Sequence, residues 1–174
     1  GSSSSVPSGL VDVRAIYSTV KAFAALKEDG TVAVWGDPDW GGSTTDRNDI
    51  SGMPNDLAGV EAIYSANRVF CALLSGNGSV ECWGYNDHGG SDVPSDMVGV
   101  RSVYSTESSF CALQGDGSVK AWGLPGTGGN LTENLTNVRT IFSTYQAFAA
   151  LKEDGTVAVW GAPSRGGSLT SGGG

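Results

Sequence analysis

The side chains that could carry out chemistry in this sequence are few and scattered. The single histidine, His88, lies in the loop sequence YNDHGG beside Asp87. A histidine next to a carboxylate could act as a general base or supply one metal ligand. Transition-metal sites usually take several imidazole or thiolate ligands, however, and only three cysteines could join it. We therefore interpret His88 as a loop histidine rather than a catalytic or metal-binding residue.

Acidic pairs and glycine-rich loops give no clearer indication of chemistry. Asp37 and Asp39, in GDPDWGG, could bind calcium, but this segment lacks the regular acidic spacing and distal glutamate of an EF-hand loop. The segment GTGG lacks the lysine and the hydroxyl residue of a phosphate-binding loop. The sequence predicts no catalytic residue, no metal site and no cofactor.

Aromatic and cationic side chains in loops are better candidates for binding than for catalysis. Exposed tryptophan and arginine side chains are common anchors of binding interfaces. We predict candidate binding loops at the residues that vary most between otherwise similar stretches: Trp40, Arg47, Tyr85, His88 and Arg165. For Trp40 an alternative remains open, because a loop tryptophan can also shield the neighbouring part of the fold.

The elements that must position these loops come from an internal repeat. The string AFAALKEDGTVAVWG occupies residues 22–36 and returns unchanged at 147–161. The repeated Trp–Gly pairs are separated by 48, 39 and 38 residues, and the insert TTDRNDISGMPND accounts for the longer first spacing. The predicted repeats cover approximately residues 11–43, 58–91, 98–130 and 136–168. Residues 1–10 are predicted to be a linker or closing strand, and residues 169–174 a tail.

Each repeat has the pattern of three short β-strands. The segment EDG between two apolar runs is typical of a hairpin turn. Placing Lys27 opposite Thr31 sets Phe23 opposite Trp35 and makes both faces of the hairpin apolar. Because a lone hairpin cannot bury two faces, neighbouring repeats must cover them. We predict an all-β, β-propeller-like repeat architecture with four three- to four-stranded blades; the alternative is an open β-solenoid or a stacked β-hairpin array.

The pattern V-x-x-I-x-S … AL-x-x-DG-x-V-x-x-WG resembles the repeat of the regulator of chromosome condensation family. The segment WGYNDHGG, from Trp83 to Gly90, is similar to that family's WG-x-N-x-x-G. The resemblance covers all four copies and implies a β-propeller-like architecture with one sheet per repeat. The sequence departs from the family pattern where GGS or GGN replaces GQLG. It does not carry over a guanine-nucleotide exchange role, because no loop here supports one.

Two of the three cysteines are placed to form a disulfide. Pairing Phe70 with Trp83 sets Cys71 directly opposite Cys82, near the distance that a disulfide requires. Such a bond would indicate an oxidising compartment. The alternative is that these cysteines are small buried hydrophobic residues, because Cys71 stands where other repeats have alanine.

Composition limits the class of partner. The formal net charge is −8, from 10 basic and 18 acidic residues. An acidic chain without a basic stripe argues against nucleic acid and anionic membranes as partners. No apolar run approaches the roughly 18 residues of a membrane helix, so no membrane insertion is predicted. Glycosylation sequons at Asn130 and Asn134 favour an extracellular or secreted location.

The sequence favours a non-catalytic scaffold over an enzyme. Near-identical core units beside scattered polar chemistry indicate a β-repeat scaffold for protein–protein interaction or self-assembly. Whether this scaffold is a segment of a longer repeat protein stays open at the level of sequence. The alternative is a carbohydrate- or surface-binding module of a secreted protein. Trp40, Tyr85 and the polar Asp/Asn loops motivate that second hypothesis.

Overall fold

The computed structural model describes residues 5–131 and 133–168. Residues 1–4 of the predicted linker or closing strand, and the predicted tail at 169–174, lie outside the described residues. Residues 5–10 form no strand. Across the described ranges, no helix has the length and apolar character needed to cross a bilayer.

The described chain is built from short antiparallel strands. The strands, in chain order, are β1 (Val13–Ser18), β2 (Ala22–Lys27), β3 (Val32–Gly36), β4 (Ile50–Ser51), β5 (Val60–Ser65), β6 (Val69–Leu74), β7 (Val80–Tyr85), β8 (Val100–Ser105), β9 (Ser109–Gln114), β10 (Val119–Gly123), β11 (Val138–Ser143), β12 (Ala147–Lys152) and β13 (Val157–Gly161). Single turns of 3-10 helix follow the last strand of each repeat, at Pro38–Trp40, Asn86–His88, Pro125–Thr127 and Pro163–Arg165.

The strands form four sheets, one for each repeat, which confirms the predicted all-β propeller-like class. Blade 1 is β1–β3, blade 3 is β8–β10 and blade 4 is β11–β13, each with three strands. Blade 2 has the order β4-β7-β6-β5 and therefore a fourth strand. The insert between the first two repeats supplies that strand, since Ile50 pairs with Tyr85 at the outer edge of the blade.

The register inside each blade follows from its turn. Phe23 lies opposite Trp35 and Leu26 opposite Val32, which confirms the predicted pairing. Asp29 Oδ1 accepts a hydrogen bond from the Thr31 backbone N–H at 3.0 Å, so the aspartate closes the turn that aligns the two strands.

Three buried apolar clusters hold the blades together, and each joins two consecutive repeats. We call the side of a blade that meets its predecessor the leading face, and the side that meets its successor the trailing face. In blade 2 the leading face comprises Val60, Ile63, Phe70, Ala72 and Trp83. In blade 1 the trailing face comprises Tyr17, Ala24, Leu26, Val32 and Val34. Equivalent residues join blade 2 to blade 3 and blade 3 to blade 4.

The blades form an open arc rather than a closed ring of four. Among the described residues, no fourth cluster joins the trailing face of blade 4 to the leading face of blade 1. All four blades nevertheless contribute loops to one central pocket of about 400 Å³, so they share an axis. The loops around that axis are therefore the candidate binding surfaces.

Candidate binding site

Two loops of every repeat meet at the same end of the blades, which we call the loop end. One loop joins the first and second strands, and the other follows the last strand. In blade 2 the Tyr85 backbone N–H donates to the Arg68 carbonyl at 3.2 Å, which ties these loops together. The equivalent bond recurs in the other blades, from Asp37 to Lys21, Leu124 to Ser108 and Ala162 to Gln146.

The central pocket at the loop end is lined by the first loop of each blade. Backbone hydrogen bonds link each of these loops to the next. The Val20 N–H donates to the Asn67 carbonyl at 3.1 Å, and the Asn67 N–H donates to the Glu107 carbonyl at 2.9 Å. The Glu107 N–H in turn donates to the Tyr145 carbonyl at 3.0 Å. This run of backbone bonds fixes the pocket wall. The Glu107 carboxylate already accepts a hydrogen bond from Gln146 Nε2. The pocket is thus a polar rim whose one carboxylate is engaged.

A cluster of aromatic and cationic side chains lies where blades 1 and 2 meet. The Arg68 guanidinium carbon is 4.0 Å from the ring centroid of Tyr85 and 4.8 Å from that of Trp40. Lys21 Nζ lies 4.9 Å from the Trp40 centroid. Cations at these distances are attracted to the electron-rich ring faces. The rings therefore hold the Arg68 guanidinium in place between two blades.

His88 belongs to the same cluster and packs against Tyr85. Its ring meets Tyr85 edge to face, with centroids 5.0 Å apart. Burial lowers the pKa of His88 below its usual value, and the positive charge of Arg68 lowers it further. Asp87 and Glu107 act in the opposite direction without reversing the shift. The lowered pKa disfavours a third positive charge in the cluster, beside those of Lys21 and Arg68.

Arg68 has N–H donors that lack a hydrogen-bond partner among the described residues. Its Nη2 donates to the Asp39 carbonyl at 3.4 Å, while its Nε is buried without a hydrogen-bond partner among the described residues. Within those ranges no carboxylate forms an ion pair with it. Asp39 instead pairs with Arg47, at 3.4 Å. A guanidinium held in this way can donate to a carboxylate or carbonyl brought by a ligand.

The insert that contains β4 forms one wall of a small pocket beside this cluster. The pocket measures about 230 Å³. The residues that line it are Asp39, Arg47, Asn48, Asp49, Ile50, Arg68 and Tyr85. Ser51 Oγ donates to Asn86 Oδ1 at 2.8 Å, and the Asn86 N–H donates to the Asp49 carbonyl at 2.9 Å. These bonds fasten the insert to the loop that contains His88.

Four of the five sequence-predicted binding residues come together here. Trp40, Arg47, Tyr85 and His88 all lie at the junction of blades 1 and 2. Arg165 does not join them: it lies in the blade 4 loop, exposed, and its carbonyl accepts from Thr144 Oγ1 at 3.0 Å. That these residues bind a ligand stays a prediction.

Two cations of the cluster, Arg68 and Lys21, were missed by the sequence analysis. They stand at the same position of their repeats, where blades 3 and 4 have Ser108 and Gln146. This position varies between repeats, whereas the strands beside it are nearly constant. That variation could have identified Lys21 and Arg68 as candidate binding residues. Trp40 also packs against the cluster between blades 1 and 2, so shielding and binding are compatible roles for it.

Cys71 and Cys82 are joined as a disulfide across β6 and β7, with their Cα atoms 4.1 Å apart. Cys111 lies opposite Ala121, is fully buried and is a free thiol. Burial raises the pKa of Cys111 well above its usual value, because the thiolate would lose its hydration. The free thiol is therefore inert while the protein is folded.

We expect thiol counting to distinguish these cysteines. In non-reducing buffer the folded protein should show no thiol that reacts with a chromogenic disulfide reagent, because the one free thiol, Cys111, is buried. After unfolding without reductant one thiol should react, and after reduction all three should react. Three reactive thiols in the unreduced, unfolded chain would show that Cys71 and Cys82 are not bonded in solution.

The repeat pattern and the arrangement of blades define an RCC1-like β-propeller fold. Several solved structures have a fold similar to that of this chain. The yeast RCC1 (Prp20) complex with Kap60 matches with a TM-score of 0.59 at 18% identity, over 86% of this chain and 43% of that chain. The CRINKLY WD40 ectodomain of the Arabidopsis thaliana receptor kinase ACR4 matches with a TM-score of 0.58 at 19% identity, over 86% of this chain and 49% of that chain.

The chain therefore spans less than half the length of these two structures. The computationally designed Ika4 protein matches over nearly its whole length, 96%, and over 91% of this chain, with a TM-score of 0.50 at 15% identity. No family model and no curated protein sequence matches the chain. At these identities the similarity establishes the fold, and function has to be argued from the site.

Proposed function

We propose that this chain is a non-catalytic β-propeller scaffold that binds another protein through the cluster at the junction of blades 1 and 2. The feature recognised on the partner is a carboxylate, from an aspartate, a glutamate or a chain terminus. One observation carries the proposal: the guanidinium of Arg68 is fixed between Tyr85 and Trp40, beside a pocket, with donors unpaired. Aromatic residues and arginine are the types enriched in protein-binding hot spots.

The chemistry of the site favours a protein over a sugar. Carbohydrate modules use an open aromatic face, whereas two cations, Lys21 and Arg68, lie over the Trp40 ring. The ring holds an arginine instead of presenting a stacking platform. The structural neighbours add support at the level of the fold, since yeast RCC1 (Prp20) was crystallised bound to Kap60.

The same site supports a binding role better than a catalytic one. The only imidazole, His88, packs edge to face against Tyr85, with ring centroids 5.0 Å apart. Within residues 5–131 and 133–168 no group of three or more His, Cys, Asp or Glu side chains could hold a metal ion. What the cluster offers is a preorganised hydrogen-bond donor, which is a means of recognition.

An array of short peptides tests this function. The array contains peptides with one aspartate or glutamate and matched peptides with asparagine or glutamine at that position. We expect the chain to retain carboxylate peptides over their amide counterparts. Arg68→Ala should weaken that binding at least about 30-fold, the loss typical of a hot-spot residue. The matched control is Arg101→Ala, which removes an exposed arginine of β8.

Three results would contradict the proposal. They are equal retention of acid and amide peptides, equal binding by Arg68→Ala and the unaltered chain, and equal loss in Arg101→Ala. A parallel glycan array addresses the alternative. A glycan signal that Trp40→Ala abolishes would instead support a carbohydrate-binding module.

A further inference from the structure

The interface between consecutive blades repeats most of its contacts from one joint to the next. Between blades 1 and 2 the Val60 N–H donates to the Gly30 carbonyl at 3.0 Å, and Trp83 Nε1 donates to the Gly41 carbonyl at 3.1 Å. The Phe70 ring lies so close to Gly41 that a Cβ there would be 2.9 Å from it. The blade-to-blade joint is thus a specific surface with fixed polar contacts.

The later joints repeat this arrangement. The Val100 N–H donates to Gly78 at 3.1 Å, and the Val138 N–H donates to Gly117 at 2.9 Å. Trp160 Nε1 donates to the Gly128 carbonyl at 3.0 Å, whereas the equivalent nitrogen of Trp122 makes no bond. All three blade-to-blade joints in this chain therefore share the backbone bond from the first valine of a blade to the turn glycine of the preceding blade.

The leading face of blade 1 has the residues of such a joint, but no blade within residues 5–131 and 133–168 covers it. Ile16 is 59% exposed, whereas the equivalent Ile63 is 3% exposed. Phe23 is 44% exposed, whereas the equivalent Phe70 is fully buried. Large apolar side chains gathered on one exposed face usually mark an interaction surface.

The trailing face of blade 4 is uncovered in the same way. Val157 is 47% exposed, whereas the equivalent Val80 is 6% exposed, and Phe142 is 62% exposed. Gly155 and Gly166 have nothing within 4 Å of the position a Cβ would take. Their counterparts in the earlier blades touch the next blade. Blade 4 thus presents a trailing face that no described part of the chain covers.

The identical strings at 22–36 and 147–161 make each end face a copy of a face that is buried elsewhere in the chain. The leading face of blade 4 contains Phe148 and Trp160 and is buried against blade 3. Blade 1 offers the same residues, Phe23 and Trp35, from the same string. The trailing face of blade 4 likewise has the residues of the trailing face of blade 1 that belong to the shared string. In blade 1 that face is covered by blade 2. Each end face is therefore a copy of a surface that already forms a joint inside this chain.

We propose that two copies of this chain associate head to tail. The leading face of blade 1 in each copy packs on the trailing face of blade 4 in the other. A second copy is the occupant because one chain carries both complementary faces. A head-to-tail contact that is used twice closes into a ring with twofold symmetry. The ring then contains eight blades, twice the four of one chain, within the ordinary range of propellers.

The internal joints define the new contacts. Val13 N–H should donate to the carbonyl of Gly155 in the partner copy, and Trp35 Nε1 to that of Gly166. Phe23 should pack on the same Gly166 loop. This surface is separate from the Arg68 cluster at the junction of blades 1 and 2. Loss of peptide binding in Arg68→Ala and loss of association are therefore independent results.

Sedimentation equilibrium of charge variants tests the association. Phe23→Asp places a carboxylate on the leading face, and Val157→Asp places one on the trailing face. Each should lower the association constant at least about 100-fold, because an unpaired charge would be buried in both joints. The matched control is Val98→Asp, at a 59% exposed valine of a linker, which should remain a two-copy particle. Circular dichroism checks that each variant is folded.

Mixing the two variants is the decisive step. Phe23→Asp retains an intact trailing face and Val157→Asp an intact leading face, so the mixture can form one sound joint. We expect a one-to-one complex from two variants that are each monomeric. A mixture that stays monomeric would overturn the proposal, as would two-copy particles of either variant alone or a monomeric unaltered chain. A ladder of larger species would overturn the closed ring.

Discussion

Replacing Phe70 by alanine is expected to lower the free energy of unfolding by about 3–5 kcal/mol, the usual cost of deleting a fully buried phenylalanine. Phe70 is fully buried, stacks on Trp83 with centroids 5.5 Å apart and fills the joint between blades 1 and 2. Its removal leaves a cavity between two sheets. Neither sheet can close that cavity without breaking the bond from Trp83 to Gly41.

The matched control is Phe23→Ala. Phe23 stacks on Trp35 in the same way, at 5.3 Å, but is 44% exposed. We expect a loss below about 1.5 kcal/mol, because little buried volume is removed. Urea unfolding followed by circular dichroism, in the Val157→Asp background that prevents association, provides the comparison. Equal losses at both positions would contradict the conclusion that burial between blades stabilises the fold.

Gly84→Ala is expected to destabilise the protein by more than about 3 kcal/mol, which combines backbone strain with a steric clash. Gly84 has φ +122°, and a Cβ there would lie 2.2 Å from the Arg68 carbonyl oxygen. The absent side chain lets the two loops of blade 2 touch. That contact places Arg68 beside Tyr85 and so forms the candidate binding cluster.

The control for this substitution is Gly76→Ala. Gly76 also has a positive φ, +95°, but nothing lies within 4 Å of a Cβ. It should therefore show the strain alone, about 1–2 kcal/mol. Thermal and urea unfolding of both variants separate the clash from the strain. Similar losses in Gly84→Ala and Gly76→Ala would show that close approach of the loops is not what requires glycine at position 84.

The strands and their register could be predicted from the sequence because they depend on local chemistry. The EDG turn aligns Lys27 with Thr31, and alternation then fixes every pair up to Phe23 and Trp35. The same reasoning placed Cys71 opposite Cys82. The resemblance to a family of propeller repeats supplied the class of fold, and the blades agree with it.

The fourth strand of blade 2 and the candidate binding cluster could not be predicted in this way. The strand β4 has only two residues, Ile50 and Ser51, which is too short for any periodic signal. The cluster joins residues of two repeats, and their proximity depends on how blades 1 and 2 pack. Arg68 lies in a loop that matches no motif. Its candidate role depends on the rings of Trp40 and Tyr85, which contact its guanidinium only in the folded chain.

Whether four repeats close into a ring also depends on geometry that the repeat pattern does not contain. The hairpin string is identical in blades 1 and 4, yet Phe23 is exposed and Phe148 is buried. The difference is the presence of a preceding blade. Identical sequence therefore gives the two blades identical faces. The arrangement of the blades in the arc determines which of those faces is buried against a neighbouring blade.

The two end faces are, by our proposal, blade-to-blade joints whose partner is a second copy of the chain. The most direct test is the molar mass of the unaltered chain in solution, measured by sedimentation equilibrium over a wide range of protein concentration. We predict a particle of two copies, twice the chain's 17.8 kDa. A mass of one copy at every concentration would contradict the claim.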